Sequence, residues 1–230
     1  RYHRLKGNDV FFLTGVDEHG ENIQKIADQK GISPQAYCDQ VAPTFTKLWK
    51  RLNISYDIFL RTTSELHKNG VRKFLNALYK TGDIYKGKYK GYYCRPCERF
   101  FTEKEQGEDK ICPIHKLSLE WVEEDNYFFA LSKYQDRLIE HIDENPEFIQ
   151  PESRRNEMLS VLKSGLENVS ISRASVSWGI PLPFDQEHIS YVWIEALSNY
   201  ITALDYAGDE EKYHRFWPAD VHLMAKDIAR

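Results

Sequence analysis

The chain has 230 residues, 41% hydrophobic and 29% charged, enough for one large domain or two small ones. A formal charge of −4 gives no overall footprint for nucleic acid; the basic runs RYHRLK at 1–6 and KGKYKGYYCR at 86–95 read first as solvated faces. No apolar run approaches the ~18–20 residues of a membrane helix, and four cysteines are too few for a disulfide scaffold, which points to a reducing compartment.

No signal peptide opens the chain, and both ends, RYHRLKGNDV and VHLMAKDIAR, read as cut within a longer fold. VFFLTG at 10–15 is a continuous apolar run ended by Gly, which predicts a buried parallel strand. A helix follows with Ile23, Ile26 and Ala27 on one face and Gly31 as C-cap. Ser33-Pro34 opens the next helix as N-cap and first-turn proline. Its predicted apolar face is Tyr37, Val41, Phe45, Leu48, Trp49 and Leu52, with a kink at Pro43. Cys38 on this helix reads as a buried thiol. DIFLRTT at 57–63 predicts a second strand ending in an N-cap Thr, and the helix beyond it stops at Gly82. Strand, helix, helix, strand, helix is the rhythm of an α/β doubly wound parallel sheet.

From 83 the texture changes to alternating polar and apolar residues with glycines, as antiparallel strands show. Residues 132–145 and RRNEMLSVLKSGL at 154–166 read as helices on either side of a break, and SISRASVSWGIPLPFD reads as extended. The α/β texture resumes at ISYVWIEALSNYITALDY, a strand running into an aromatic-faced helix, and VHLMAKDI at 221–228 reads as the next buried strand. Three parts result: 1–82, an insertion at 83–188, and 189–230.

Inside the insertion, Cys94, Cys97, Cys112 and His115 form C-x2-C, a fourteen-residue spacer and C-x2-H. Two such knuckles supply the four soft ligands of a closed tetrahedral zinc site, structural because no position stays open. An iron site or an incidental cluster are the rival readings. The pattern is not that of a nucleic-acid finger, which needs a helix carrying H-x3-5-H.

Several strings, read together and in this order, resemble methionyl-tRNA synthetase of the bacterial or organellar type. They are FLTGVDEHGENIQ at 12–24, GYYCRPCERFFTEKE with CPIH, NYFFALSKYQ at 126–135, SISR with WGIPLP, and YVWIEALSNY at 191–200. The resemblance implies a class I Rossmann-like domain interrupted by a connective peptide that carries the zinc knuckle. It implies ATP-dependent activation of L-methionine, with Mg2+, and transfer to tRNA(Met), in the cytoplasm or an organellar matrix.

Asp17 sits just past a predicted strand, where open α/β sheets bind ligands. It reads either as an N-cap or, as the resemblance implies, as the partner of the amino acid's α-ammonium. His19 reads equally as a structural histidine or a contact. Trp193 and Tyr200 are seven apart, on one face of a predicted helix. Core packing is the ordinary reading, and the resemblance makes them walls of the methionine pocket, supported by Asn199 and Tyr191. It makes Lys226 and Asp227 ATP-binding residues, with Asp227 and the family's Gly near the ribose; Ala225 departs from that Gly and Glu195 from the family's Asp. Arg173 is either a phosphate contact, as the resemblance implies, or a surface ion-pair partner. The HIGH and KMSKS strings do not occur in these residues, so the chain alone is expected to activate methionine poorly. The competing function is a catalytically dead, synthetase-derived module that binds tRNA or protein.

Overall fold

The computed structural model describes residues 1–97, 99–101, 109–174, 176–225 and 228. After a short helix α1 (Tyr2–Leu5), β1 (Leu13–Val16) and β2 (Ile58–Arg61) pair in parallel, Leu13 opposite Ile58 and Val16 opposite Arg61. The crossover between them is two helices, α2 (Glu21–Lys30) and α3 (Pro34–Arg51). Gly31 ends α2 in the left-handed region at φ 66°, as its missing Cβ allows. Ser33 caps α3 by accepting a hydrogen bond from the Ala36 N–H at 3.2 Å, with Pro34 in the first turn.

Three predictions about this half need correction. Strand β1 starts at Leu13 rather than Val10 and is only half-buried, because among the described residues it pairs with β2 alone. Helix α3, with Pro43 in its interior, buries Cys38 and Ala42, whereas Phe45 and Leu48 of the predicted apolar face, and Leu52 just past its end, stay exposed. Periodicity placed those residues on one face but could not say what covers it. The N-cap of α4 (Glu65–Lys80) is Ser64, whose side chain accepts from the His67 N–H, and not Thr63, which is spent on Glu18.

The antiparallel region holds two sheets. Strands β3 (Ile84–Cys94), β4 (Arg99–Phe101), β5 (Glu120–Phe129) and β6 (Val169–Ser170) form one, in the order β4-β3-β5-β6. The other has β9 (Asp185–Ser190) between β7 (Ser172–Arg173) and β8 (Pro181–Leu182). Helices α5 (Gln135–Glu144) and α6 (Glu152–Lys163) lie between β5 and β6 in the chain. One core ties this region to helix α4, which follows β2: Val71 and Leu75 pack with Ile84, Tyr127, Ile171, Ile180 and Leu182. Burial of these side chains contributes roughly 1.5–3 kcal/mol each.

Two expectations fail near the end. YVWIEALSNY is not one helix: α7 (Val192–Leu197) and α8 (Asn199–Thr202) meet at Ser198, so Trp193 and Tyr200 sit on separate short helices. Residues 221–225 form no strand and are exposed, Leu223 by 92%. An apolar run marks a strand only where a neighbouring strand takes up its backbone hydrogen bonds. A last helix, α9, spans Glu210–Phe216.

Candidate active site and metal centre

The carboxyl end of β1 runs into Asp17-Glu18-His19-Gly20, and nearly every group of this loop except Asp17 is tied down. The Glu18 carboxylate is buried and accepts from Arg61 Nε at 2.8 and 3.0 Å and from the Thr63 hydroxyl. Its backbone N–H donates to Thr62 Oγ1 at 2.9 Å, and its carbonyl accepts from Trp178 Nε1 at 2.6 Å. The Cys38 thiol also points to that carbonyl, and burial pushes the thiol up to about 11. Gly20, not Asp17, is the N-cap of α2, which leaves the Asp17 side chain open to solvent and uncommitted to capping.

The mass of protein around Asp17 nonetheless raises its carboxyl above the ordinary value, and the charge of Glu195 adds to this. Tyr200 is raised as well, first by burial and then by the charge of Asp17, which places the two groups near one another. Tyr200 stacks on His222 at 4.6 Å between ring centres. Trp193, 39% exposed, turns a broad apolar face toward solvent from α7. The Asn199 amide is spent on the Ala196 carbonyl. Arg173 is buried rather than on the surface: its guanidinium lies 4.1 Å from the Tyr191 ring centre and donates to the Ser172 carbonyl at 2.7 Å. Lys226 and Asp227 lie outside the described residues.

At the far end of β3, Cys94, Cys97, Cys112 and His115 bring one donor atom each to within 4.8 Å of the others. Cys97 Sγ is 3.6 Å from Cys112 Sγ and 3.1 Å from His115 Nδ1. Tetrahedral thiolate ligation at ~2.3 Å requires sulfur separations of about 3.8 Å, so the donors already stand near ligand spacing. The second knuckle is a tight turn: Lys116 N–H donates to the Cys112 carbonyl at 2.9 Å and His115 N–H to Cys112 Sγ at 3.4 Å. Burial alone would raise the Cys112 thiol; the hydrogen bonds of His115, Cys94 and Ile114 together outweigh it and bring it to about 6. Three sulfurs and an imidazole suit a soft or borderline metal and not calcium or magnesium.

The profile of the class I tRNA synthetases (M) matches residues 1–118 and 105–230, which together cover the chain. The chain belongs to this family. A methionine–tRNA ligase of Clostridium tetani is 55% identical over 232 residues, 100% of this chain and 36% of its own length. The Thermotoga maritima enzyme is 49% identical over 100% of this chain and 37% of its own. The crystal structure of Mycobacterium tuberculosis methionyl-tRNA synthetase in complex with methionyl-adenylate superposes with a TM-score of 0.92 at 41% identity. That match covers 99% of this chain and 45% of the other. The parallel pair and its crossover helices are therefore part of a class I Rossmann-like fold, and the chain spans well under half of these relatives.

The sequence reading of this class I synthetase chain passed over several residues that build the site. His67, fully buried on α4, bonds Glu195 Oε2 at 2.9 Å, and Glu195 Oε1 lies 3.1 Å from His19 Nδ1. His19 is thus a hydrogen-bonded structural histidine, with its ring edge against Trp178 at 5.3 Å. Glu195 was noted only as a departure from Asp, yet burial, which would raise it, is outweighed by the two histidines and its carboxyl stays below the ordinary range. No local motif marks His67; its partner is 128 positions away.

Proposed function

We propose that this chain is the amino-acid-binding and connective-peptide segment of a methionine–tRNA ligase, which activates L-methionine with ATP and Mg2+ and transfers it to tRNA(Met). The observation that carries the reading is the set of side chains gathered near the end of β1. A solvent-reaching carboxylate, Asp17, lies near enough to Tyr200 for its charge to raise the phenol, and the short helix α7 exposes the Trp193 ring. A methionine α-ammonium pairs with the carboxylate, and aromatic walls suit a polarizable thioether. Arg173, held between polar and aromatic neighbours, is rigid enough to orient a phosphate or a neighbouring loop. Lys226 and Asp227 are assigned to ATP, Asp227 near its ribose, whose two hydroxyls a carboxylate accepts from well.

The metal of the knuckle is zinc in this reading. Cys94, Cys97, Cys112 and His115 would hold it in a closed site, where it supplies structural cross-linking and no chemistry. Among the described residues no helix is long and apolar enough to cross a membrane; the cytoplasm or an organellar matrix is the proposed location.

Calorimetric titration of the zinc-loaded chain with L-methionine tests the reading. Saturable binding is expected, with Trp193→Ala weakening it by roughly 2 kcal/mol or more, the scale of an aromatic anchor. Asp17→Asn should weaken it comparably, since a charged partner is lost while the shape is kept. A folded, zinc-containing chain that binds tRNA but no methionine would favour the competing reading, a binding module derived from a synthetase.

A further inference from the structure

Glu195 is fully buried, and so is His67. A carboxylate withdrawn from water is costly unless its lone pairs are satisfied. Because a carboxylate only accepts, both imidazoles must donate to it: His19 through Nδ1 at 3.1 Å and His67 through Nε2 at 2.9 Å. The second His67 nitrogen faces the Thr202 hydroxyl at 2.8 Å. That contact needs a glycine beside it, since a Cβ on Gly70 would stand 2.4 Å from Thr202 Cγ2.

Three segments meet at this carboxylate, the loop after β1, helix α4 and the short helix α7 that carries it, and the short helix α8 joins them through Thr202 and His67. Their neighbours in the chain are the proposed methionine contacts. Asp17 stands two residues before His19, Trp193 two before Glu195, and Tyr200 two before Thr202. Helices of six and four residues cannot hold their own orientation. The buried clamp supplies it.

We propose that Glu195 is a positioning residue of the amino-acid site: gripped by His19 and His67, it fixes Asp17 relative to Trp193 and Tyr200. This rests on the methionine reading above. The titratable groups that act on Asp17 are Glu195 on α7, His67 on α4, and His19 and Glu18 on its own loop, and Asp17 in turn acts on the Tyr200 phenol on α8.

The test compares the zinc-loaded chain with Glu195→Gln, by L-methionine calorimetry across a pH series and by histidine N–H signals in nitrogen-labelled protein. Glutamine keeps the shape but can accept from one histidine only. Expected are an unchanged far-ultraviolet dichroism spectrum and zinc content, loss of at least one slowly exchanging imidazole N–H, and methionine binding weakened about tenfold, the usual scale for an orienting partner. The acid limb of binding should also move to lower pH, because Asp17 must be ionised to bind the ammonium and loses the neighbouring charge that raises it. A side chain that serves fold stability alone would leave the methionine affinity of the folded chain unchanged. Unchanged affinity and an unchanged acid limb in a folded Glu195→Gln chain overturn the proposal. Should that variant fail to fold, Thr202→Val, which removes only the hydroxyl from His67, is expected to weaken methionine several-fold; no change overturns the proposal equally. A parent chain that binds no methionine overturns the methionine reading itself, and this shows before any substitution is made.

Discussion

A Cys112→Ser chain is expected to lose its zinc and to loosen the segments Tyr92–Cys97 and Lys110–Leu119, while the core around α4 stays folded. The reason is how little else holds the knuckle together. Its buried cluster is Cys94, Phe101, Cys112 and Leu119, with Tyr92 and Cys97 against it, so half of these six side chains belong to the candidate metal site. Cys112 is the most enclosed of the ligands, with no exposed surface. Structural zinc contributes ~10–16 kcal/mol to the folding of small finger peptides at neutral pH. A two-residue phenylalanine–leucine core contributes only about 3–6 kcal/mol. The larger core of Val71, Leu75, Ile84 and their neighbours shares no residue with the knuckle, which is why the damage should remain local. Metal analysis should read near zero against one zinc per parent chain. Hydrogen exchange should show lost protection at the Cys112 and Leu119 amides, whose hydrogen bonds run to Leu117 and Lys110 within the same turn. Full zinc content with unchanged protection would show that the four residues are not a metal site.

The knuckle was legible because a metal site leaves its geometry in the sequence: two ligands per tight turn, and soft side chains throughout. The loop after β1 was legible for a similar reason, since an apolar run ended by Gly and followed by acidic and histidine residues places them at a strand end. What the sequence hid is pairing across distance. Arg61 bridges Glu18 and Asp39, and His67 reaches Glu195, and no spacing rule connects these positions. Helical periodicity failed in a related way. It put Trp193 and Tyr200 on one helix, because nothing in WIEALSNY signals that the chain will tighten at Ser198, whose hydroxyl bonds the Glu195 carbonyl at 2.6 Å. It also marked Phe45, Leu48 and Leu52 as a face without saying what that face meets. Hydrophobic pattern identifies surfaces; only tertiary structure says which surface is covered.

The parallel pair that aims Asp17 depends on one missing methyl group. Gly15 lies opposite Leu60 in the register of β1 and β2. A Cβ built there would stand 2.1 Å from the Leu60 carbonyl oxygen, against a usual contact of ~3.4 Å or more. The neighbour is backbone and not the end of a flexible side chain, so it cannot step aside by changing rotamer. Either β1 shifts or the pair separates. Gly15→Ala is therefore expected to destabilise the chain by ~3 kcal/mol, at the upper end for overpacking. For a chain of this size that corresponds to a melting temperature lower by about 6–12 °C, readable by calorimetry or dichroism. The substitution should reach the site as well. Asp17 lies two residues beyond Gly15, and Thr62, whose hydroxyl receives the Glu18 N–H, lies two beyond Leu60. Displacement of β1 consequently shifts the carboxylate relative to Tyr200, and methionine affinity should fall together with stability. Alanine at this position with an unchanged melting temperature would mean that the two strands do not approach as closely as described. The same methyl placed at Gly31, where nothing lies within 4 Å, meets only the strain of its positive φ, and it separates backbone strain from strand collision in the same experiment.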